Sequence, residues 1–211
     1  MLDPVSDGFF SSCSPFSEEM NPTVENLEIG TLSWAEKFDL GQGDAQATTF
    51  YALTGAKFMS HVYPHVNGNL AQALSDYNSW AFAANDQVVP TDPTIRTRDV
   101  LHTIFRWVWT MRSPNSWIAD DNNFSAAPPD IFSRLHDCMT PLQMHRFTTG
   151  QTSWLLDQSW ETSLRERGAA LTVNEYLAMR YLSPASATTI QRTEEPPTNL
   201  PTTPLPYPTI T

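Results

Sequence analysis

Apolar residues recur along most of the chain at steps of three and four, which is the spacing of one face of an α-helix. The clearest case is residues 67–87, NGNLAQALSDYNSWAFAANDQ. There a single face carries Leu70, Leu74, Tyr77, Ala81 and Ala84. No stretch alternates apolar and polar residues in the way that is typical of a half-buried strand. The pattern therefore predicts an all-α helical bundle.

Proline, glycine and capping residues indicate where the helices end. Pro64 closes the second helix, Pro141 suits the first turn of a long helix, and Gly168 suits its C-terminal cap. Thr172 and Glu175 form a capping-box pattern that opens the last helix. Residues from Pro114 to about Pro129 are predicted to form a loop. The predicted helices span residues 22–41, 44–64, 67–87, 93–113, 130–139, 141–168 and 172–182.

The two ends of the chain differ in composition from the middle. Residues 1–20 hold scattered Pro, Ser and Gly and are predicted to form a loop segment. Residues 193–211 contain six Pro and six Thr, a composition that cannot bury a core or form regular hydrogen-bonded structure. We therefore predict one helical domain over residues 21–184, followed by a disordered Pro/Thr-rich tail over residues 185–211.

Composition and charge exclude several classes of protein. The chain has 211 residues, a net charge of −11 and no Lys/Arg run, which argues against binding to nucleic acid. Cys13 and Cys138 form no CxxC pair, so neither a disulfide scaffold nor a zinc module is expected. The first ten residues lack the basic and apolar regions of a signal peptide, so none is expected, and no apolar run in the sequence is long enough for a membrane span. We expect a cytoplasmic protein with no membrane span.

Two adjacent polar residues near the end of the third predicted helix could carry chemistry. Asn85 continues the apolar face, four residues after Ala81, and Asp86 borders that face. Oxygen ligands of this kind suit Mg²⁺, which proteins usually bind through one or two carboxylates together with phosphate oxygens. The other interpretation is an ordinary helix end before Pro90, and the residues alone leave both open.

Several segments, in order along residues 20–184, resemble class I terpene synthases of the microbial type. The stretch WAFAANDQVV is similar to that family's aspartate-rich motif, W-x-F-x-x-D-D-x-x-D. Later, SWETSLRERG is followed by TVNEYLAMRYLSPAS, which matches the family's order of an Arg-rich helix exit and a short helix ending in Arg. The resemblance implies an all-α fold around a deep apolar pocket. It also implies an isoprenyl diphosphate substrate held by Mg²⁺ and basic residues.

The resemblance assigns roles to individual residues of the motif helix. Asn85 falls where the family has its first Asp, and Asp86 falls where it has the second. Val89 replaces the third acidic residue, so the cluster keeps one full carboxylate. The aromatic residues Tyr77, Trp80 and Phe82 are expected to contact the substrate.

Arg180 falls where the family has its diphosphate-sensing arginine, with Ser183 and Pro184 in the adjoining break. A guanidinium group suits bidentate contact with diphosphate oxygens. On this basis Arg180 is the predicted catalytic and substrate-binding residue. The alternative is a solvated cation at a helix end, which the helix dipole favours.

The sequence departs from the family at its end. Nothing after Arg180 matches the family's second metal motif, N-D-x-x-S-x-x-x-E, so the fold is predicted to be incomplete. The first hypothesis is Mg²⁺-dependent ionisation and cyclisation of an isoprenyl diphosphate, farnesyl diphosphate by analogy, to a sesquiterpene. The alternative is a catalytically inactive relative that binds a terpenoid or a partner synthase, with the protein partner covering the incomplete bundle. A third interpretation is that a gene-model error produced the Pro/Thr-rich end.

Overall fold

The computed structural model describes residues 19–66, 68–88, 96–116, 123–168 and 171–182. The predicted loop over residues 1–20 lies almost wholly outside these ranges, and the predicted tail lies wholly outside them. The described ranges contain helices and connecting turns and no strand, which confirms the all-α prediction. The α-helices are α1 Val24–Lys37, α2 Ala45–Val62, α3 Gly68–Val88, α4 Thr97–Arg112, α5 Asn123–Cys138, α6 Pro141–Glu166 and α7 Val173–Leu182. Within these ranges no helix combines the length and apolar character needed to cross a membrane.

The ends of α6 and α7 confirm the local sequence signals. Thr140 caps α6 in a reciprocal capping box with Gln143, and Pro141 occupies the first turn. Gly168 follows the helix with φ of +61°, a left-handed conformation that costs glycine little. At α7, the hydroxyl of Thr172 donates to Glu175 across 2.6 Å, and the Glu175 amide donates back to Thr172.

The prediction of a loop up to Pro129 is wrong, because α5 begins at Asn123 and includes Pro128 and Pro129. A proline inside a helix removes a backbone hydrogen bond and strains the preceding turn. Here tertiary packing outweighs that cost, since Phe124, Pro128 and Ile131 are buried against the rest of the bundle.

The central helix of the bundle is α3, which packs against α1, α2, α5 and α6. The α2–α3 contact is close because Gly55 has no side chain. A Cβ built on Gly55 would lie 2.1 Å from Ser79 Oγ and 2.5 Å from the Ser79 amide nitrogen. The other side of α3 packs into a core of aromatic rings. They are Tyr77, Trp80, Trp107, Phe132 and Phe147.

A polar network ties α1, α3 and α5 together inside this apolar bundle. Arg134 donates to Asp76 across 2.7 Å and to Asp130 across 2.7 Å. Asp76 is buried and also accepts from Gln72 across 2.8 Å, while the indole of Trp34 donates to Asp130 across 2.9 Å. Burial raises the pKa of Asp76, and the charge and hydrogen bond of Arg134 oppose that rise.

Candidate active site

The last turn of α3 carries the predicted metal ligands. Asn85 is half-buried and Asp86 is exposed. The phenol of Tyr51 on α2 donates a hydrogen bond of 2.7 Å to Oδ2 of Asp86. That bond holds the carboxylate on the side of α3 that faces α2, so Tyr51, which is far from the motif in the chain, contacts it in the fold.

The environment of Tyr51 keeps its phenol protonated. Partial burial, the hydrogen bond to Asp86 and the negative charges of Asp86 and Asp44 raise the pKa of Tyr51 to about 12. A protonated phenol is a donor, so the contact with Asp86 persists throughout the neutral range.

An aromatic surface adjoins the carboxylate. Phe82 lies one helical turn before Asp86 on the same face of α3 and is half-buried. Its ring meets that of Phe58 on α2 edge to face, with centroids 6.1 Å apart. Apolar rings next to a carboxylate are what a ligand with a charged head and a hydrocarbon body requires.

The other two aromatic residues of the predicted site lie deeper. Trp80 is fully buried, and Tyr77 is buried with its hydroxyl donating to Gln151 on α6. Both rings contact Phe132 in the core. They therefore lie in the aromatic core, and their contact with a substrate remains a prediction.

A second set of polar side chains joins the start of α4 to the end of α6. Glu166 accepts hydrogen bonds from the Thr97 hydroxyl across 2.6 Å and from the Thr97 amide across 3.2 Å. Its other oxygen lies 3.6 Å from Arg96. These bonds to Thr97, and then the charge of Arg96, hold the pKa of Glu166 below its usual value. This contact therefore joins the N-terminal end of α4 to the C-terminal end of α6.

Part of the predicted site lies outside what the structure describes. Arg180 belongs to α7, but its side chain is not among those described. Val89, Ser183 and Pro184 also lie outside the described residues. The predicted convergence of Arg180 and Asp86 on one ligand therefore remains a prediction.

The donor chemistry at the end of α3 suits a hard cation only in part. Among the described residues, no group of three or more His, Cys, Asp or Glu side chains is arranged to hold a metal. Asp86 offers one carboxylate, one oxygen of which already accepts from Tyr51, and Asn85 offers an amide oxygen. This set fits a Mg²⁺ ion that completes its shell with water and ligand phosphate oxygens, rather than one held by the protein alone.

Sequence reasoning missed Tyr51, Asp76 and Arg134. Tyr51 stands 35 residues from Asp86, and Arg134 stands 58 residues from Asp76, so no local motif links the partners. One signal was present: Asp76 lies immediately before Tyr77 within the apolar part of the helix, where a carboxylate needs a partner.

Comparison with known proteins places this helical bundle in a family. Residues 76–194 match the family model described as terpene synthase family 2, C-terminal metal binding. The matched range covers more than half of the chain and includes α3 from Asp76 onward. The chain belongs to the terpene synthase family.

Relatives of known name agree with this membership. The chain is 31% identical over 80% of its length to the diterpene cyclase DtcycB of a Streptomyces species. It is 23% identical over 83% of its length to a (+)-T-muurolol synthase of Streptomyces clavuligerus that cyclises farnesyl diphosphate. These matches cover 48% and 42% of the two relatives, so the chain spans about half the length of the proteins that it resembles.

Solved structures confirm the fold. The structure superposes on the SVS_A2 protein from ancestral sequence reconstruction with a TM-score of 0.76 and 24% identity, covering 83% of this chain and 54% of that one. For an α-eudesmol synthase the TM-score is 0.70 at 18% identity, with 82% and 57% covered. The helices described here are therefore arranged as in part of the terpene synthase fold.

Proposed function

We propose that this chain contributes the aspartate-motif half of a class I terpene synthase site that ionises and cyclises an isoprenyl diphosphate. The observation that carries the proposal is the position of Asp86. It lies inside the matched family range, fixed by Tyr51 and next to the paired rings of Phe58 and Phe82. A carboxylate that would hold a divalent cation, beside an apolar wall, suits a diphosphate head and a hydrocarbon tail, since without the cation the two anionic groups would repel each other.

Each residue has a distinct role in this proposal. Asp86 and Asn85 hold Mg²⁺, and Arg180 binds diphosphate oxygens as a bidentate donor. Bound Mg²⁺ supplies positive charge that stabilises the departing diphosphate. Phe82 lines the wall that keeps water from the hydrocarbon tail, and Trp80 and Tyr77 are the further aromatic residues proposed to contact the substrate.

Farnesyl diphosphate is the proposed substrate, and Mg²⁺ is the proposed metal. Several relatives are synthases that cyclise farnesyl diphosphate, which supports a fifteen-carbon substrate. The relatives also include a diterpene cyclase, so a twenty-carbon diphosphate is the appropriate comparison substrate.

The test is incubation of the purified chain with Mg²⁺ and either a fifteen-carbon or a twenty-carbon prenyl diphosphate, followed by measurement of released diphosphate and of hydrocarbon products. We expect turnover that Asp86→Ala abolishes. The matched control is Asp137→Ala, which removes an exposed carboxylate near the end of α5. Turnover that is the same in both variants would refute the assignment of Asp86.

A second candidate function is binding without turnover, either of a terpenoid or of a partner synthase. It is favoured by the cluster's reduction to one carboxylate, which lowers the affinity for metal. The described helices also expose large apolar side chains that a protein partner would cover, among them Phe50, Phe105 and Trp109, each more than half exposed. Saturable binding of a farnesyl analogue with no diphosphate release would support this candidate over the first.

A further inference from the structure

An open cavity lies at the end of the bundle where α4 and α5 finish and α6 begins. Its volume is about 310 Å³, at the lower end of the ~300–1,000 Å³ that holds small ligands. His145 at this cavity and Glu166 at the other end of α6 are 21 residues apart, so the helix rise of ~1.5 Å per residue separates them by about 30 Å. The cavity therefore lies at the opposite end of α6 from the contact between Glu166 and Thr97.

Three methionines form its floor. Met111 is fully buried, Met144 is 4% exposed, and Met139 is half-buried. Methionine is unbranched and polarisable, so a methionine floor adapts to flexible apolar chains better than a floor of branched side chains. We call this cavity, with its floor and rim, the methionine pocket.

The rim of the methionine pocket carries Arg112, His136 and His145, all of them exposed. The described residues that line it include no Asp or Glu. Arg112 makes no side-chain hydrogen bond or ion pair with any residue in the described ranges, although the chain carries 23 acidic and only 12 basic side chains. His136 is held in place by a contact of 3.2 Å between Nε2 and the Met111 carbonyl oxygen.

We propose that the methionine pocket binds a small amphiphilic oxyanion. A short hydrocarbon chain would lie on Met111, Met139 and Met144, and a carboxylate or phosphate head would accept hydrogen bonds from Arg112 and His145. A guanidinium group that has no partner among the described residues, beside an apolar floor, is complementary to both parts of such a ligand, since guanidinium binds oxyanions by two parallel hydrogen bonds. The proposal does not depend on the terpene synthase activity.

The experiment titrates the full chain with four eight-carbon probes: octanoate, octyl phosphate, octanol and octyltrimethylammonium. Calorimetry gives the affinity, and methyl signals from isotope-labelled methionine give the location. We expect saturable one-to-one binding of one or both anions, with the signals of Met139 and Met144 shifting and that of Met59, which lies on α2 and does not line the pocket, unchanged. Whichever of octanoate and octyl phosphate binds with the higher affinity identifies the preferred head group as carboxylate or phosphate.

Arg112→Gln tests the rim, and we expect it to weaken anion binding about tenfold through loss of the charge-assisted pair. The matched control is Arg98→Gln at the other end of α4, which should leave the affinity unchanged. If Arg112→Gln does not fold, the titrations of the unaltered chain with the four probes still show whether the pocket prefers an anionic head group. Equal binding of octyltrimethylammonium and octanoate, no binding of either anion, or shifts confined to methionines outside the pocket would overturn the proposal.

Discussion

The phenol of Tyr51 donates to Oδ2 of Asp86 across 2.7 Å, which ties the second turn of α2 to the last turn of α3. The bond holds the one carboxylate of the aspartate-rich motif on the side of α3 that faces α2. The position of the Asp86 carboxylate therefore depends on the protonation of Tyr51, which is 35 residues away in the chain.

The first prediction concerns the alkaline titration of Tyr51. Because the pKa of Tyr51 is raised to about 12 from 10.0, its bond to Asp86 stabilises the fold below pH 10 and is lost as the pH rises from 10 to 12. Ultraviolet titration of tyrosinate should show a late-titrating group that is missing in Tyr51→Phe. Tyr176→Phe removes an exposed tyrosine and should retain that group. An unchanged late phase in Tyr51→Phe would contradict the assignment.

The second prediction concerns the buried ion pair of Asp76 and Arg134. Arg134→Met leaves Asp76 buried without its cation. Breaking a fully buried pair costs ~3–5 kcal/mol, and because Arg134 is 33% exposed we expect about 2–3 kcal/mol at neutral pH. Urea unfolding measures the loss. The control Arg98→Met removes a cation that is 89% exposed and should change stability by less than ~0.5 kcal/mol.

The same variant should show a defined pH dependence. Burial already raises the pKa of Asp76, and removing Arg134 raises it further. A carboxyl group whose folded pKa exceeds its unfolded value of 3.8 binds its proton more tightly in the folded state, so stability falls as the pH rises through that interval. The deficit of Arg134→Met should therefore be smallest in acid and grow toward neutrality. A deficit that does not vary with pH would show that lost packing, not charge, is its cause.

How much of the fold the sequence could predict depends on whether the deciding interactions are local. Thr172 with Glu175, Pro141 and Gly168 act on backbone groups within one turn, and the structure confirms the helix ends that they predicted. The predicted start of α5 was wrong, because proline disfavours the interior of a helix and the burial of Pro128 against the core outweighs that preference.

The candidate site likewise has one part that local sequence predicts and one part that depends on contacts between distant residues. The adjacency of Asn85 and Asp86 and their place at the end of a helix follow from a contiguous motif. The partner of Asp86 could not be predicted, because Tyr51 meets it only after α2 and α3 have packed together. Likewise Arg134 reaches Asp76 only in the assembled bundle.

The third prediction concerns the close packing of α2 and α3. Gly55→Ala places a methyl group 2.5 Å from the backbone nitrogen of Ser79, which cannot rotate away, so we expect a loss of about 1–3 kcal/mol. Adding Ser79→Ala removes the hydroxyl but not the backbone, and should restore only part of the loss. Gly30→Ala is the matched helical control and should cost less, because its methyl group meets only the side chain of Gln72. Equal stabilities of the two glycine variants in urea unfolding would contradict this explanation.

The fourth prediction concerns the link between α4 and α6. The first backbone amides of a helix have no hydrogen-bond acceptor within that helix, and the carboxylate of Glu166, on α6, is the acceptor for the amide of Thr97. Glu166→Gln keeps the shape but removes the charge, so the thermal midpoint should fall at neutral pH. Because the pKa of Glu166 is lowered, its contribution is present above the ordinary value of 4.5 and is lost as the pH falls through the folded pKa. The difference in midpoint between wild type and Glu166→Gln should therefore close in acid. The control is Glu36→Gln, which removes an exposed carboxylate on α1; its difference in midpoint from wild type should not shrink in acid. If the difference for Glu166→Gln were the same at every pH, the charge of Glu166 would contribute nothing to its bond with Thr97.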